Sequence, residues 1–154
     1  MQVSTEKTAL LCFDGNLLKR PGGLEVRPES FTFLGFTRFL HKTREGQVNV
    51  SHTPSVKTRE RFLRSIKTWL RANRYVRVWE QREHLAKALE GYYQYFGLSR
   101  CLELLSGVRQ RVRRLWQQAL SRRSQRAGRT WDWASLDARP WFTLPKARLT
   151  HTWV

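Results

Sequence analysis

Apolar residues recur with two different periods along this chain of 154 residues. In the first third the pattern is strand-like. Residues 8–13 are β-prone, and Phe31-Thr32-Phe33-Leu34-Gly35-Phe36 is aromatic and partly alternating. Asp14-Gly15 and Pro21-Gly22-Gly23 supply turn chemistry. A further hairpin is expected from Phe31 to His41, through Thr43-Arg44-Glu45-Gly46, into residues 47–51. This region reads as a few antiparallel strands without a helix, too little to be stable unless it packs on something.

From Pro54 onward the period is helical. Thr53-Pro54-Ser55 starts a helix that can run to about Arg74. Phe62, Ile66, Trp69 and Leu70 share one of its faces, while Lys57, Arg61, Arg64 and Arg71 fall within an arc of about 80° opposite. A second helix over residues 80–96 buries Leu85, Leu89 and some of Tyr92, Tyr93 and Phe96, with Gly97 able to end it. A third, over residues 99–121, sets Leu102, Leu105, Val112, Leu115, Trp116 and Ala119 on one stripe. Arg111 and Arg114 point away from it, and Arg109 and Arg113 lie at its margin. A short fourth helix is expected over residues 131–138 with Thr130 as N-cap. Pro140 and Pro145 keep the last fifteen residues extended. The expected class is α+β, with a small antiparallel β appendage over residues 1–52 and a basic helical bundle over residues 53–154.

Charge sharpens this division. There are 29 Lys and Arg against 12 Asp and Glu, a net charge of +17. Residues 1–40 carry a net +1 and residues 41–154 a net +16. Solvated faces normally mix signs, but Lys57, Arg61, Arg64 and Arg71 are answered on their helix mainly by Glu60. The run Arg122-Arg123-Ser124-Gln125-Arg126-Ala127-Gly128-Arg129 holds no acid. Single-sign patches repel themselves unless a polyanion neutralises them, and arginine suits bidentate phosphate contact. A nucleic acid is the expected partner. The longest apolar run, residues 9–13, is far short of a membrane span, and the N-terminus lacks the basic and apolar regions of a secretory signal. A cytoplasmic protein without a membrane partner is expected.

Catalytic and metal constellations are not read here. Cys12 and Cys101 lie far apart, and His41, His52, His84 and His151 match no metal-ligand spacing. Phosphoryl transfer with two metal ions needs clustered carboxylates. Asp132 and Asp137 are about 140° apart on their helix, and Asp14 belongs to a turn. Gly22-Gly23 lacks the lysine and helix of a phosphate loop.

Several segments, in order, resemble one family. Val3-Ser4-Thr5-Glu6-Lys7-Thr8, followed by Phe31-Thr32-Phe33-Leu34-Gly35-Phe36-Thr37, resembles the end of the reverse transcriptase palm, where an E-K-T element precedes the primer grip. Trp69-Leu70-Arg71 and Leu89-Glu90-Gly91-Tyr92-Tyr93-Gln94-Tyr95-Phe96 then resemble the thumb, or maturase X domain, of bacterial group II intron reverse transcriptase-maturases. So do residues 116–120 with Arg122-Arg123-Ser124-Gln125-Arg126, Thr130-Trp131, and the closing Leu144-Pro145-Lys146-Ala147-Arg148-Leu149-Thr150-His151. The likeness spans nearly the whole chain.

The resemblance implies that Phe33, Leu34, Gly35 and Phe36 belong to a primer-grip-like hairpin that supports a primer 3′ end. It also makes Lys7 a proton donor to pyrophosphate, but only within a complete polymerase. It implies a thumb that tracks a template–primer or RNA–DNA duplex and docks on structured group II intron RNA to assist splicing. The candidate nucleic-acid contacts are Lys57, Arg61, Arg64, Arg71, Arg111, Arg114, Arg122, Arg123, Arg126, Arg129, Lys146 and Arg148. The family commonly has Arg and His where Glu90 and Tyr92 stand, and a His where Arg38 stands. The fingers and the Y-x-D-D strand have no counterpart, so no activity is expected of the chain alone. No cofactor is expected either, a divalent metal entering only with a catalytic palm. The expected identity is a maturase/thumb module, whether a truncated remnant or an excised domain. The alternatives are the C-terminal subunit of a split RNA-directed DNA polymerase, completed by a separate fingers–palm chain, or a truncated remnant without function.

Overall fold

The computed structural model describes residues 30–123 and 131–151. The expectations for Lys7, Cys12, the strand at residues 8–13, the two N-terminal turns, Arg126, Arg129 and Thr130 lie outside them. The chain divides into two compact units, residues 1–53 and residues 54–154.

In the first unit, β1 (Phe31–Phe33), β2 (Phe36–Lys42) and β3 (Val48–Pro54) form a three-stranded antiparallel sheet in that order. The run from Phe31 to Phe36, which alternation alone reads as strand and the resemblance reads as an L-G-F hairpin, is folded back on itself. Phe31 pairs with Arg38, Thr32 with Thr37 and Phe33 with Phe36. Leu34 and Gly35 make the two-residue turn, at φ 49° and 81°. Two successive positive φ values suit the right-handed twist of a hairpin, and glycine adopts one at no steric expense. Leucine does not, so the exposed Leu34 holds a strained backbone. The β2–β3 turn closes as expected: Thr43 N–H donates to Gln47 O at 2.8 Å, with Gly46 at φ 83°.

The second unit is built from α1 (Val56–Ala72), α2 (Val78–Phe96), α3 (Leu102–Ser121) and α4 (Trp133–Asp137). Ser55 caps α1, its Oγ accepting from Thr58 N–H at 3.2 Å. Leu105, Val108, Val112, Trp116 and Leu120 run down α3 at spacings of three and four. They bury against Ile66 and Leu70 of α1 and Leu85, Leu89 and Tyr93 of α2, each with almost no exposed surface. The expected extension from Pro140 is corrected at its start: residues 139–142 close a turn, Phe142 N–H donating to Arg139 O at 3.0 Å. Residues 143–151 have no helix and are tied to α2 and α3 by Arg82 to Thr143 O, Arg109 to Leu144 O and Tyr93 to Pro145 O. Phe142 and Leu144 are buried, and Phe142 stacks on Trp116 with centroids 4.6 Å apart.

Three helix expectations are corrected. The second helix starts at Val78, not residue 80, and the third at Leu102, not residue 99, because residues 98–101 form a turn with Arg100 at φ 70°. Leu102 is therefore 44% exposed in the first turn instead of in the core. The fourth helix starts at Trp133, because Asp132 takes the capping role with Oδ1 accepting from Ser135 N–H at 2.9 Å. Gly97 ends α2 without a left-handed residue, at φ −77°. It is needed for closeness instead: a Cβ there would lie 2.5 Å from Thr150 Oγ1 and 2.8 Å from Thr150 N.

Candidate nucleic-acid interface

α1 and α3 pack side by side and run parallel, with Arg59 near Gly107 at one end and Arg71 near Arg122 at the other. The seam between them is an open groove. Its first part encloses about 540 Å³ between Glu60, Leu63, Arg64 and Lys67 on α1 and Arg111, Arg114 and Leu115 on α3. It continues, sharing Lys67 and Leu115, into a much smaller part of about 30 Å³ lined by Leu70, Arg71, Arg74, Gln118, Ala119 and Arg122. Leucines and an alanine make the floor, and cations make both rims. This follows from helical spacing: Gly107, Arg111, Arg114, Gln118 and Arg122 recur every three or four residues along one stripe of α3.

Arg64, Lys67, Arg71, Arg74, Arg111, Arg114 and Arg122 therefore converge, with Glu60 the one acid among the lining residues. None of the seven is ion-paired to a described carboxylate; the described ion pairs are Lys87–Glu83 and Arg113–Asp137. The arrangement suits a chain of phosphates: two rows of donors face a path whose floor asks for no polar partner.

No family model matches this chain, and no curated protein or solved structure matches it.

Of the residues expected to contact nucleic acid, five line this groove: Arg64, Arg71, Arg111, Arg114 and Arg122. Lys57 and Arg61 are exposed on α1 but outside the groove lining, and Lys146 and Arg148 are exposed on the C-terminal segment. Arg123 has a different occupation. Its Nη2 donates to Val76 O at 2.7 Å, and burial pulls its pKa below the usual arginine value. It holds the α1–α2 connection, and it differs in this from the exposed Arg122 beside it. Lys67 and Arg74 were not singled out from the sequence. The available signal was a cation at the margin of the apolar stripe, where its stem can lie on Leu63 or Leu70 and its head can reach the rim.

None of the positions that depart from the pattern of the resembled family is among the residues lining the groove. Glu90 is exposed on α2, and Arg38 is exposed on β2. Tyr92 is core: its ring lies between Phe62 at 4.5 Å and Phe96 at 4.6 Å, and burial pushes its hydroxyl up to about 12. Phe33 and Leu34 are exposed at the β1–β2 tip, and Gly35 and Phe36 are half-buried. Among the described residues, no group of three or more His, Cys, Asp or Glu is gathered as a metal site. Asp132 caps α4 and Asp137 pairs with Arg113. No helix among the described residues is long and apolar enough to cross a membrane.

Proposed function

We propose that this protein is an RNA-binding module acting as the thumb, or maturase X portion, of a group II intron reverse transcriptase-maturase. It grips the phosphate backbone of structured RNA along the α1–α3 groove, and by itself it transfers no nucleotide. The observation that carries the reading is the two-sided rim: seven cations, from α1, α3 and the residues just after each, line the two joined parts of the groove beside Glu60 as the one acid lining them. Their mutual repulsion disfavours the free state, and a polyanion removes it while releasing its own counterions. Contacts to phosphate and sugar also suit A-form RNA, whose deep major groove hides the base edges.

The test is the salt dependence of RNA affinity. Replacing Arg64, Arg111 and Arg114 with Gln leaves the core untouched, since all three are exposed. The slope of log K against log salt should shrink by roughly 0.7 to 0.9 per lost contact, about equally for unrelated RNAs. Lys57→Gln with Arg61→Gln, outside the groove, should change it far less. An unchanged slope in the groove variant would overturn the proposal.

A further inference from the structure

The connection between α1 and α2, residues 73–77, combines an inner side that is held firmly with an outer side that carries aromatic surface into solvent. Inside, Trp116 Nε1–H donates to Gln81 Oε1 at 3.0 Å, and Gln81 Nε2–H donates to Asn73 O at 2.6 Å. Gln81 and Trp116 are both fully buried. Arg123 Nη2 fixes Val76 O at 2.7 Å, and Val76 N–H closes the turn on Asn73 O at 3.2 Å. Gln81 of α2, itself held by Trp116 of α3, and Arg123, just beyond the end of α3, thus hold the backbone of a five-residue loop.

Outside, Tyr75 is 80% exposed and Trp79, four residues on in the first turn of α2, is 59% exposed. Burying such rings is worth far more than solvating them, and a loop so well anchored has no need of an aromatic residue at its tip. Large aromatics held in water on a rigid support are what a stacking surface requires. The surroundings select the ligand. Arg74, immediately before Tyr75, lines the end of the groove together with Arg71 and Arg122, and Arg77 follows on the same loop. Glu80 is the acid in the first turn of α2. A flat apolar face among cations fits a base with its phosphate, because the ring takes the π-face and the guanidinium takes the charge.

We propose that Tyr75 and Trp79 form a preformed platform on which unpaired bases of an RNA stack as its backbone leaves the α1–α3 groove. The inference rests on the phosphate-gripping reading above and adds to it a preference for a strand that is single at this end.

The test compares two synthetic RNAs, a blunt hairpin and the same hairpin with a six-nucleotide single-stranded extension, binding the full chain. The intact protein should prefer the extended RNA. Tyr75→Leu with Trp79→Leu keeps apolar bulk but removes both π-faces, and should weaken binding of the extended RNA roughly 5- to 100-fold. Blunt-hairpin affinity and the salt slope should stay unchanged, because no phosphate contact is lost. Tyr75→Phe with Trp79→Phe should restore the preference, and a thermal melt of each variant checks the fold. An equal preference in the Leu variant and the intact chain overturns the platform while leaving the groove reading in place. The same holds if the Leu variant alters only self-association in sedimentation, which would assign this surface to a second copy. If the intact chain binds neither RNA, the groove reading itself fails.

Discussion

Gly97→Ala isolates one contact on which the C-terminal segment depends. At φ −77° the backbone of residue 97 accepts alanine without strain, so any loss of stability comes from the added methyl. That methyl would lie 2.5 Å from Thr150 Oγ1 and 2.8 Å from Thr150 N, and would press still closer on the carbonyl oxygen of Tyr93. Neither backbone can yield without breaking the local bonds. These are Thr150 N–H to Gly97 O at 2.8 Å, His151 N–H to Gly97 O at 3.0 Å, and Thr150 Oγ1–H to Tyr93 O at 3.0 Å. Three such bonds contribute roughly 0.5–1.5 kcal/mol each. The stiffer unfolded chain of the variant offsets about 0.4–1 kcal/mol. The net loss should be about 1–3 kcal/mol. Urea unfolding followed by tryptophan emission reads it cleanly, because all seven tryptophans lie beyond residue 54. Gly91→Ala and Gly107→Ala are the controls: a Cβ at either meets nothing within 4 Å, and each should gain about 0.5–1 kcal/mol as a helix-interior alanine. A Gly97 loss below about 0.5 kcal/mol, or a loss of the same size at Gly91, would refute the reasoning.

Two further outcomes separate neighbouring roles. Arg122→Gln should lower the salt slope of RNA binding by roughly 0.7–0.9 with little change in stability, while Arg123→Gln should do the reverse, destabilising by about 1–3 kcal/mol through the freed Val76 carbonyl. Matching effects from the two in both assays would contradict the assignment. His84 stacks on Trp69 with centroids 3.7 Å apart, and burial, then the charge of Lys87, lowers its pKa from 6.5. A histidine that resists protonation only when folded leaves the unfolded chain binding more protons, so stability should fall as the pH drops below about 6.5, fully so below the folded pKa. His84→Gln should flatten that decline. An NMR titration giving a value above 6.5 would show that attraction of the imidazolium to the indole face outweighs burial.

The helices were legible because their apolar spacing repeats, and the cations of α1 and α3 because they fill the remaining faces. What was not legible depends on neighbours. A wheel drawn for α1 alone puts Lys57 and Arg61 in the same arc as Arg64 and Arg71. Only the seam with α3 decides that Arg64 and Arg71 line a groove while Lys57 and Arg61 do not, and that Lys67 and Arg74 join them. Arg122 and Arg123 are identical in sequence, yet one faces water and the other turns in to a carbonyl from a segment 47 residues away. Leu102 has stripe spacing but sits at the helix end, beyond the partners that would cover it. The irregular segment after Pro140 has no period to read, and its burial comes from distant contacts such as Tyr93 Oη to Pro145 O at 3.2 Å. The Leu34-Gly35 turn escaped an alternation count because a leucine at positive φ is an exception that no propensity favours.

The shortage of carboxylates shapes how this fold is fastened. With 29 basic and 12 acidic side chains, most arginines cannot find an acid. Arg113 pairs with Asp137, but the other described arginines that hydrogen-bond across the fold donate to backbone carbonyls: Arg82 Nε to Thr143 O at 3.2 Å, Arg109 Nε and Nη2 to Leu144 O at 3.2 and 3.1 Å, and Arg123 to Val76 O. The ties of Trp116 to Gln81 and of Thr150 to Tyr93 are neutral. Bonds to carbonyls satisfy a half-buried guanidinium without a second charge, so screening ions weaken them less than they weaken attraction between opposite charges. The groove is the opposite case: its arginines lack a described carboxylate, and on the proposed reading their partner is a polyanion whose counterions compete. If that reading holds, salt should act on binding far more than on folding. A bound RNA would also relieve the repulsion of the seven rim cations, so on the proposed reading binding should stabilise the helical unit by RT ln(1 + c/Kd), where c is the free RNA concentration, about 2.7 kcal/mol at a ligand concentration one hundred times Kd.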